Sequence, residues 1–198
     1  MRIENNYSVK AHNTFGINQI TKRFIEYSSA DELKELIKSG KLEQPFFHIG
    51  AGSNLLFVDD YEGTLLHSAI CYIHPVKETK DEVWVSVGAG TCWDDFVAHC
   101  VEKEWYGVEN LSLIPGEVGS AAVQNIGAYG VEVKDLLVSL KAINLLTGEE
   151  REFSNAECQY DYRYSCFKQP EMKVWAVVEV TFKLSKQPTF NLTYKGLL

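Results

Sequence analysis

The chain has 198 residues, of which 45% are hydrophobic and 23% charged, and its formal net charge is −8. That length buries a sizeable core as one domain or two small lobes, and the composition is ordinary for a globular chain. The acidic balance argues against a nucleic-acid partner, whose phosphates reward clustered Lys and Arg.

The longest apolar runs, such as VWAVVEV at 174–180, fall far short of a membrane span. The opening segment MRIENNYSVKAHN lacks an apolar h-region, so the cytoplasm is the expected compartment. Cys71, Cys92, Cys100, Cys158 and Cys166 form no CxxC pair, and the histidines form no HxxxH or HExxH. Reduced structural thiols and no metal site are therefore expected.

The first strong helix signal is SADELKELIKSG at 29–40. Ser29 and Glu32 form a capping box, Leu33, Leu36 and Ile37 an apolar stripe, and Gly40 a stop. FFHIGAGSNLLFVDD at 46–60 reads as two short buried strands split by a Gly-Ala-Gly-Ser-Asn turn. VWVSVGAGT at 83–91 reads as a strand ending in a second Gly-Ala-Gly. It feeds a helix over 91–107 that Thr91 and Asp94 start, with Trp93, Phe96, Val97, Cys100 and Val101 on its buried face.

Residues 136–153 read as a hairpin turning at Thr147-Gly148, and 173–184 as a long strand of mixed alternation. The weakest-patterned join lies near 66–80, a candidate lobe boundary. Strands and helices interleave without regular βαβ spacing, which favours α+β over a doubly wound sheet.

Gly-rich turns admit two readings. Glycine serves tight turns, and it also exposes successive backbone N–H groups to an anion. For GAGT at 88–91 the first reading is preferred; GAGSNLL at 50–56 is more pointed, because Ser53 and Asn54 add short polar side chains. No run matches GxxxxGK[ST], nor a GxGxxG between a first strand and a helix. IPGEVGSAAVQNIGAYG at 114–130 is the most informative stretch, since Gln124, Asn125 and Tyr129 sit among residues stripped of bulk. Tight helix–strand packing explains the small residues, but not the two amides and the tyrosine.

NTFGI (13–17), HIGAGSNLL (48–56), the 114–130 stretch and YDYRYSCFK (160–168), in that order and spacing, resemble the UDP-N-acetylenolpyruvoylglucosamine reductase family (MurB). These are flavoenzymes of bacterial cell-wall synthesis, and the resemblance covers nearly the whole chain. Ala122 departs from it, where the family often has proline. The resemblance implies an α+β, two-lobed FAD-binding fold of the vanillyl-alcohol-oxidase type. Lobe 1 would span 1–69 and lobe 2 would span 70–198, with FAD held non-covalently between them. It implies pyrophosphate contacts from Gly50, Ala51, Gly52, Ser53 and Asn54. Further cofactor contacts are implied for Pro115, Gly116, Gly119, Ser120, Asn125, Gly127 and Tyr129.

The implied reaction takes a hydride from NADPH and delivers it, by way of the flavin, to C3 of the enolpyruvyl group of UDP-N-acetylglucosamine enolpyruvate. Protonation at C2 then gives UDP-N-acetylmuramate. Negative charge builds beside a carboxylate, and Arg163 matches the family's arginine for that place. Without the motif, an arginine between tyrosines would read as a surface cation. Tyr129, Arg163 and Tyr194 are the implied substrate-side residues, and LTYKGLL (192–198) is similar to the start of a substrate-covering loop.

The family's third domain, with its serine acid and glutamate, has no counterpart in these 198 residues. The resemblance thus implies FAD binding with a catalytically incomplete site. The implied partners are a sugar nucleotide and NADPH, met by a monomer, with neither nucleic acid nor membrane. Two other readings stay open: a non-catalytic flavin-binding module, and a different oxidoreductase of the same flavin fold. A Rossmann dehydrogenase fits worst.

Overall fold

The computed structural model describes residues 1–188, 190–192 and 194. The first part of the chain builds β1 (Arg2–Ser8), β2 (Ile20–Tyr27), α1 (Ala30–Lys38), β3 (Phe46–Ile49) and β4 (Tyr61–Ser68). These strands form one sheet in the order β1-β2-β4-β3, with β1 antiparallel to β2 and β4 parallel to both its neighbours. α1 starts where its sequence says: the Ser29 hydroxyl accepts the Glu32 N–H at 3.1 Å. The Glu32 carboxylate turns instead to the Ser28 N–H, at 2.8 Å. That contact and the N-terminal amine hold it near pKa 2, the amine contributing most.

The second strand expected within 46–60, after the 50–54 turn, does not form. β3 is the edge strand of the sheet, and the segment after the 50–54 turn does not pair with its free side. Leu55 and Phe57 still pack against the cluster of Val9, Phe24, Ile49 and Leu65, while Leu56 and Val58 stay exposed.

The rest supplies β5 (Ile73–Glu78), β6 (Glu82–Gly88), α2 (Trp93–Glu102), α3 (Val118–Gln124), β7 (Gly127–Ala128) and β8 (Val131–Glu132). It ends with β9 (Leu137–Asn144), β10 (Glu150–Ser154) and β11 (Trp175–Ser185). An antiparallel five-stranded sheet runs β10-β9-β11-β6-β5, and β7 and β8 form a short hairpin. Among the described residues no helix is long and apolar enough to cross a membrane.

The mixed alternation of β11 has a mechanical cause. Its pairing with β9 shifts register between Val177 and Glu179. Such a bulge switches which residues face which side. Ala176 and Val178 therefore join Leu33, Leu36 and Leu66, whereas Val180, Phe182 and Leu184 face the helices on the other side. α1 is the wedge between the two sheets, since its buried leucines share one apolar cluster with Ile25 and Leu66 of the first sheet and Ile143 and Val178 of the second.

α2 and α3 cover the opposite face of the second sheet. Trp93, Phe96 and Phe182 form a fully buried aromatic cluster with centroids 4.9–6.0 Å apart. α2 is not started by the expected residues. The Thr91 hydroxyl pairs with Tyr72, and Asp94 accepts from the Ser112 hydroxyl and the Leu113 N–H. Val101, expected on the buried face, is 55% exposed. All five thiols are free.

Candidate functional site

The 114–130 run begins against the turn after β6. Gly119 N–H donates to the Ala89 carbonyl at 2.8 Å, Val118 N–H to Thr91 at 2.9 Å, and Trp93 N–H to Gly116 at 3.0 Å. A Cβ at Gly119 would stand 2.8 Å from the Ala89 Cβ. Part of the smallness is therefore spent on chain packing. The same holds for GAGT, where Cβ atoms at Gly88 and Gly90 would lie 2.2 and 2.1 Å from the Ile70 and Ser68 carbonyl oxygens.

On its other side the run meets the turn that follows β3. The Ser53 hydroxyl donates to the Pro115 carbonyl at 3.2 Å, and the Asn54 amide to Gln124 Oε1 at 3.0 Å. A Cβ at Gly50 would sit 3.1 Å from Ser120. Two motifs some 60 residues apart in sequence thus become opposite walls of one cleft of about 420 Å³. That volume falls within the roughly 300–1,000 Å³ of ligand clefts.

Gly50, Gly52, Ser53 and Asn54 line one wall, and Gly119 and Ser120 the other. Val123, Phe167, Trp175 and Val177 supply apolar lining, while Lys168 and Lys173 supply positive charge. Among the described residues, the backbone N–H groups of Ala51, Gly52, Ser53 and Asn54 donate to no protein acceptor. Consecutive unpaired N–H groups are a nest for an anion. A ligand with flat apolar rings and a pyrophosphate fits these residues, while Gly50 itself is small because Ser120 and Glu117 pack against it.

His48 borders the same cleft, with its Nε2 2.7 Å from the Tyr27 hydroxyl. Burial, followed by the charge of nearby His67, pushes its pKa down to about 4. Neutral His48 therefore adds no charge to the cleft at physiological pH.

The remaining candidates lie elsewhere. Pro115 and Gly116 sit at the contact with Ser53 rather than among the cleft-lining residues, and Ala51 is carried on the turn without lining it. The Asn125 side chain, expected at the cofactor, makes its hydrogen bonds to the protein. It is fully buried, and its amide donates to Glu132 Oε2 at 3.0 Å and the Asp161 carbonyl at 2.9 Å. Its Oδ1 accepts the Lys134 N–H at 3.0 Å. Gly127 is packed against Val131 and Glu132, and its carbonyl accepts Arg163 Nη2 at 2.6 Å.

Beyond the C-terminal end of α3, the structure brings the three substrate-side candidates into one neighbourhood. Arg163 is anchored on Gly127, its guanidinium 5.4 Å from the Tyr162 ring centroid. Tyr129 and Tyr194 meet edge to face at 5.9 Å, and both are about half exposed. Of LTYKGLL, only Leu192 and Tyr194 are among the described residues. Asn125, Tyr129 and Arg163 all hold positive φ, at 47°, 49° and 52°. Left-handed non-glycine residues concentrate where a site over-determines its backbone. The Ser165 hydroxyl donates to the Val123 carbonyl and Lys168 Nζ to the Arg163 carbonyl, at 2.5 and 2.7 Å, so the 160–168 segment is tied to α3.

Sequence reading missed Glu117, Phe167, Lys173, Trp175 and Val177 as neighbours of the cleft. Trp175 and Val177 had a usable signal, because residues two apart on a strand share a face.

The chain spans well under two thirds of the curated relatives it matches. A UDP-N-acetylenolpyruvoylglucosamine reductase of Bacteroides fragilis (strain YCH46) is 56% identical over 192 residues, covering 97% of this chain and 58% of that one. The corresponding reductase of Porphyromonas gingivalis (strain ATCC 33277) is 46% identical over 198 residues, 100% of this chain and 59% of that one. The crystal structure of the reductase from Thermus caldophilus matches with a TM-score of 0.77 and 27% identity, over 95% of this chain and 64% of that chain. Alkyldihydroxyacetonephosphate synthase shares the fold alone, with a TM-score of 0.61 and 13% identity over 85% of this chain and 32% of that chain. The architecture is thus the expected α+β flavin fold of the vanillyl-alcohol-oxidase type. The family described as FAD binding domain matches residues 21–154, most of both sheets, and the chain belongs to that family of FAD-binding domains.

Proposed function

We propose that residues 1–198 hold FAD non-covalently between two lobes, 1–69 and 70–198, as the flavin-binding part of an NADPH-using reductase of UDP-N-acetylglucosamine enolpyruvate. The observation that carries this reading is the joining of the Gly50–Asn54 turn to the 115–124 run across one cleft, with four unpaired N–H groups on the turn. The reductases named above support the choice of reaction. FAD, when bound, supplies the hydride-carrying chemistry.

The chain's own residues bind and orient. The Ala51–Asn54 N–H groups and Lys168 and Lys173 face the charge of a pyrophosphate, while Phe167, Trp175 and Val177 take apolar ring surface. Arg163 is assigned the substrate carboxylate. A guanidinium keeps its charge at any working pH and grips two oxygens at once. Its Nη2 is already held on Gly127, so the fork is aimed before substrate arrives. Tyr129 and Tyr194 are assigned the sugar-nucleotide side, where exposed rings stack or donate a hydrogen bond. The partners of this reading are the sugar nucleotide and NADPH, met by a cytoplasmic monomer. The 198 residues by themselves are assigned cofactor binding with little turnover.

Titration of the purified chain with FAD, followed by flavin absorbance and fluorescence, tests the reading. Saturable 1:1 binding that is released on denaturation is expected. Arg163→Gln is expected to leave that titration unchanged while weakening subsequent binding of the enolpyruvyl sugar nucleotide at least about tenfold, the scale of one lost charge-assisted bond. No flavin binding by the folded chain would overturn the proposal.

A further inference from the structure

His67 stands near the end of β4, in register with Glu26 of β2 and Ile49 of β3. It is 9% exposed, and it touches a carboxylate with each ring nitrogen. Nδ1 lies 2.9 Å from Glu26 Oε2, and Nε2 lies 2.8 Å from Glu117 Oε1. A neutral imidazole carries one N–H, so it can serve only one of these acceptors. An imidazolium carries two and serves both.

Glu117 links this pair to the cleft. Its other oxygen, Oε2, lies 3.2 Å from where a Gly50 Cβ would be, and its backbone N–H donates to the Ser120 hydroxyl at 3.2 Å. Gly50 and Ser120 touch each other and both line the cleft. Glu26 belongs to the first sheet and Glu117 to the entry of α3, so His67 joins the two structural halves through two short contacts.

We propose that protonated His67 is a positioning residue for the cofactor cleft, holding Glu117 against Gly50 and Ser120 and making FAD binding proton-linked. The inference rests on the reading that FAD occupies this cleft. Loss of the proton has two effects in the same direction. One of the two carboxylates loses its imidazole donor and is held less firmly, and the local charge of the trio changes from −1 to −2 beside the place assigned to a pyrophosphate.

The groups facing His67 come from every element around it. They are Glu26 of β2, Glu117 before α3, His12 after β1 with rings 4.9 Å apart, and His48 of β3. Behind them, Tyr7 bonds His12, with Arg2 over the Tyr7 ring, and Tyr27 bonds His48; Cys71 feels both carboxylates. Burial, then the charge of His67, lowers His12, and the same two causes lower His48. Burial also opposes charge on His67, but the hydrogen bonds and charges of Glu117 and then Glu26 outweigh it and raise its pKa above 6.5. Of these three imidazoles, His67 is the one whose surroundings favour the charged form. A raised folded pKa means the stabilisation is complete below about 6.5 and lost as pH rises through the folded value. FAD should accordingly bind with proton uptake. Its affinity should weaken on the alkaline side by about tenfold for each unit by which bound FAD raises the His67 pKa further.

The test is FAD affinity measured from pH 5.5 to 9 for the wild-type chain, His67→Gln and Glu26→Gln, with thermal melts of each without FAD. In the wild type, affinity is expected to fall through one titration. In His67→Gln that step should vanish. In Glu26→Gln, which leaves the cleft untouched, its midpoint should move to lower pH because one of the two carboxylate partners is gone. Superimposable pH profiles for the wild type and His67→Gln would overturn the proposal, as would an unmoved midpoint in Glu26→Gln if His67→Gln does not fold. Absence of FAD binding at every pH would overturn both the linkage and the functional reading. The melts then still decide the brace separately: a wild-type advantage over Glu26→Gln that shrinks through the same alkaline window supports it, and a constant difference contradicts it.

Discussion

Gly52→Ala is expected to lower stability by about 3 kcal/mol and to weaken FAD binding at least about tenfold. Gly52 has φ +71°, and a Cβ there would lie 1.8 Å from the His12 carbonyl oxygen and 2.6 Å from its carbon. A left-handed conformation costs a non-glycine residue about 1–2 kcal/mol. Forcing extra volume into a packed contact costs a further 1–3 kcal/mol or so. Backbone cannot rotate aside as a side chain can, so the 50–54 turn itself must move. That turn is one wall of the cleft, and it carries the unpaired N–H groups. Gly40→Ala separates the two costs, because Gly40 also has positive φ, +66°, yet its Cβ would meet nothing within 4 Å. Urea denaturation should find Gly40→Ala cheaper by about 1 kcal/mol or more and FAD titration should find it normal. Equal losses in both variants would contradict the close-approach argument.

Asn125→Ala should cost about 3 kcal/mol and lower the melting temperature by roughly 6–12 °C. The buried amide serves Glu132, the Asp161 carbonyl and the Lys134 N–H at once, and each partner loses its bond in the variant. A buried polar group left unpaired costs about 1–3 kcal/mol, with incomplete additivity among neighbours. Asn125 also sits at φ 47°, a conformation that Asn tolerates and Ala resists. Asn125→Gly keeps the backbone accessible and removes only the amide, so it should fall between wild type and Asn125→Ala. The damage should reach the substrate-side group, since Asn125 and Gly127 carry the contacts that fix Arg163. A loss below about 0.5 kcal/mol in Asn125→Ala, within the range of ordinary surface substitutions, would show that the amide is not needed.

Elements whose signal is local were legible in the sequence. α1 has its cap, stripe and stop within a dozen residues, and the β9–β10 hairpin declares itself by its turn. The meeting of 50–54 with 114–130 was legible only by resemblance, because nothing local says that two Gly-rich turns share a cleft. Asn125 shows the limit of reading polarity as function. An amide among glycines suggests a ligand contact, yet a buried amide also has protein groups to satisfy, here the Asp161 carbonyl. α2 misled for a related reason: Thr91 and Asp94 have capping chemistry, yet Tyr72 and the 112–113 segment compete for them and win. The trio of Glu26, His67 and Glu117 leaves no sequence trace at all, since His67 is 41 and 50 residues from its partners; sheet register aligns it with Glu26, and the packing of the α3 entry brings Glu117.

Amide hydrogen exchange of the chain with and without FAD tests the placement of the cofactor most directly. Added protection concentrated at 50–54 and 116–120 is expected, with smaller changes at 167–177, where Phe167, Lys173 and Trp175 line the cleft. FAD binding that leaves 50–54 unprotected, or protects a different face of the molecule, would contradict it.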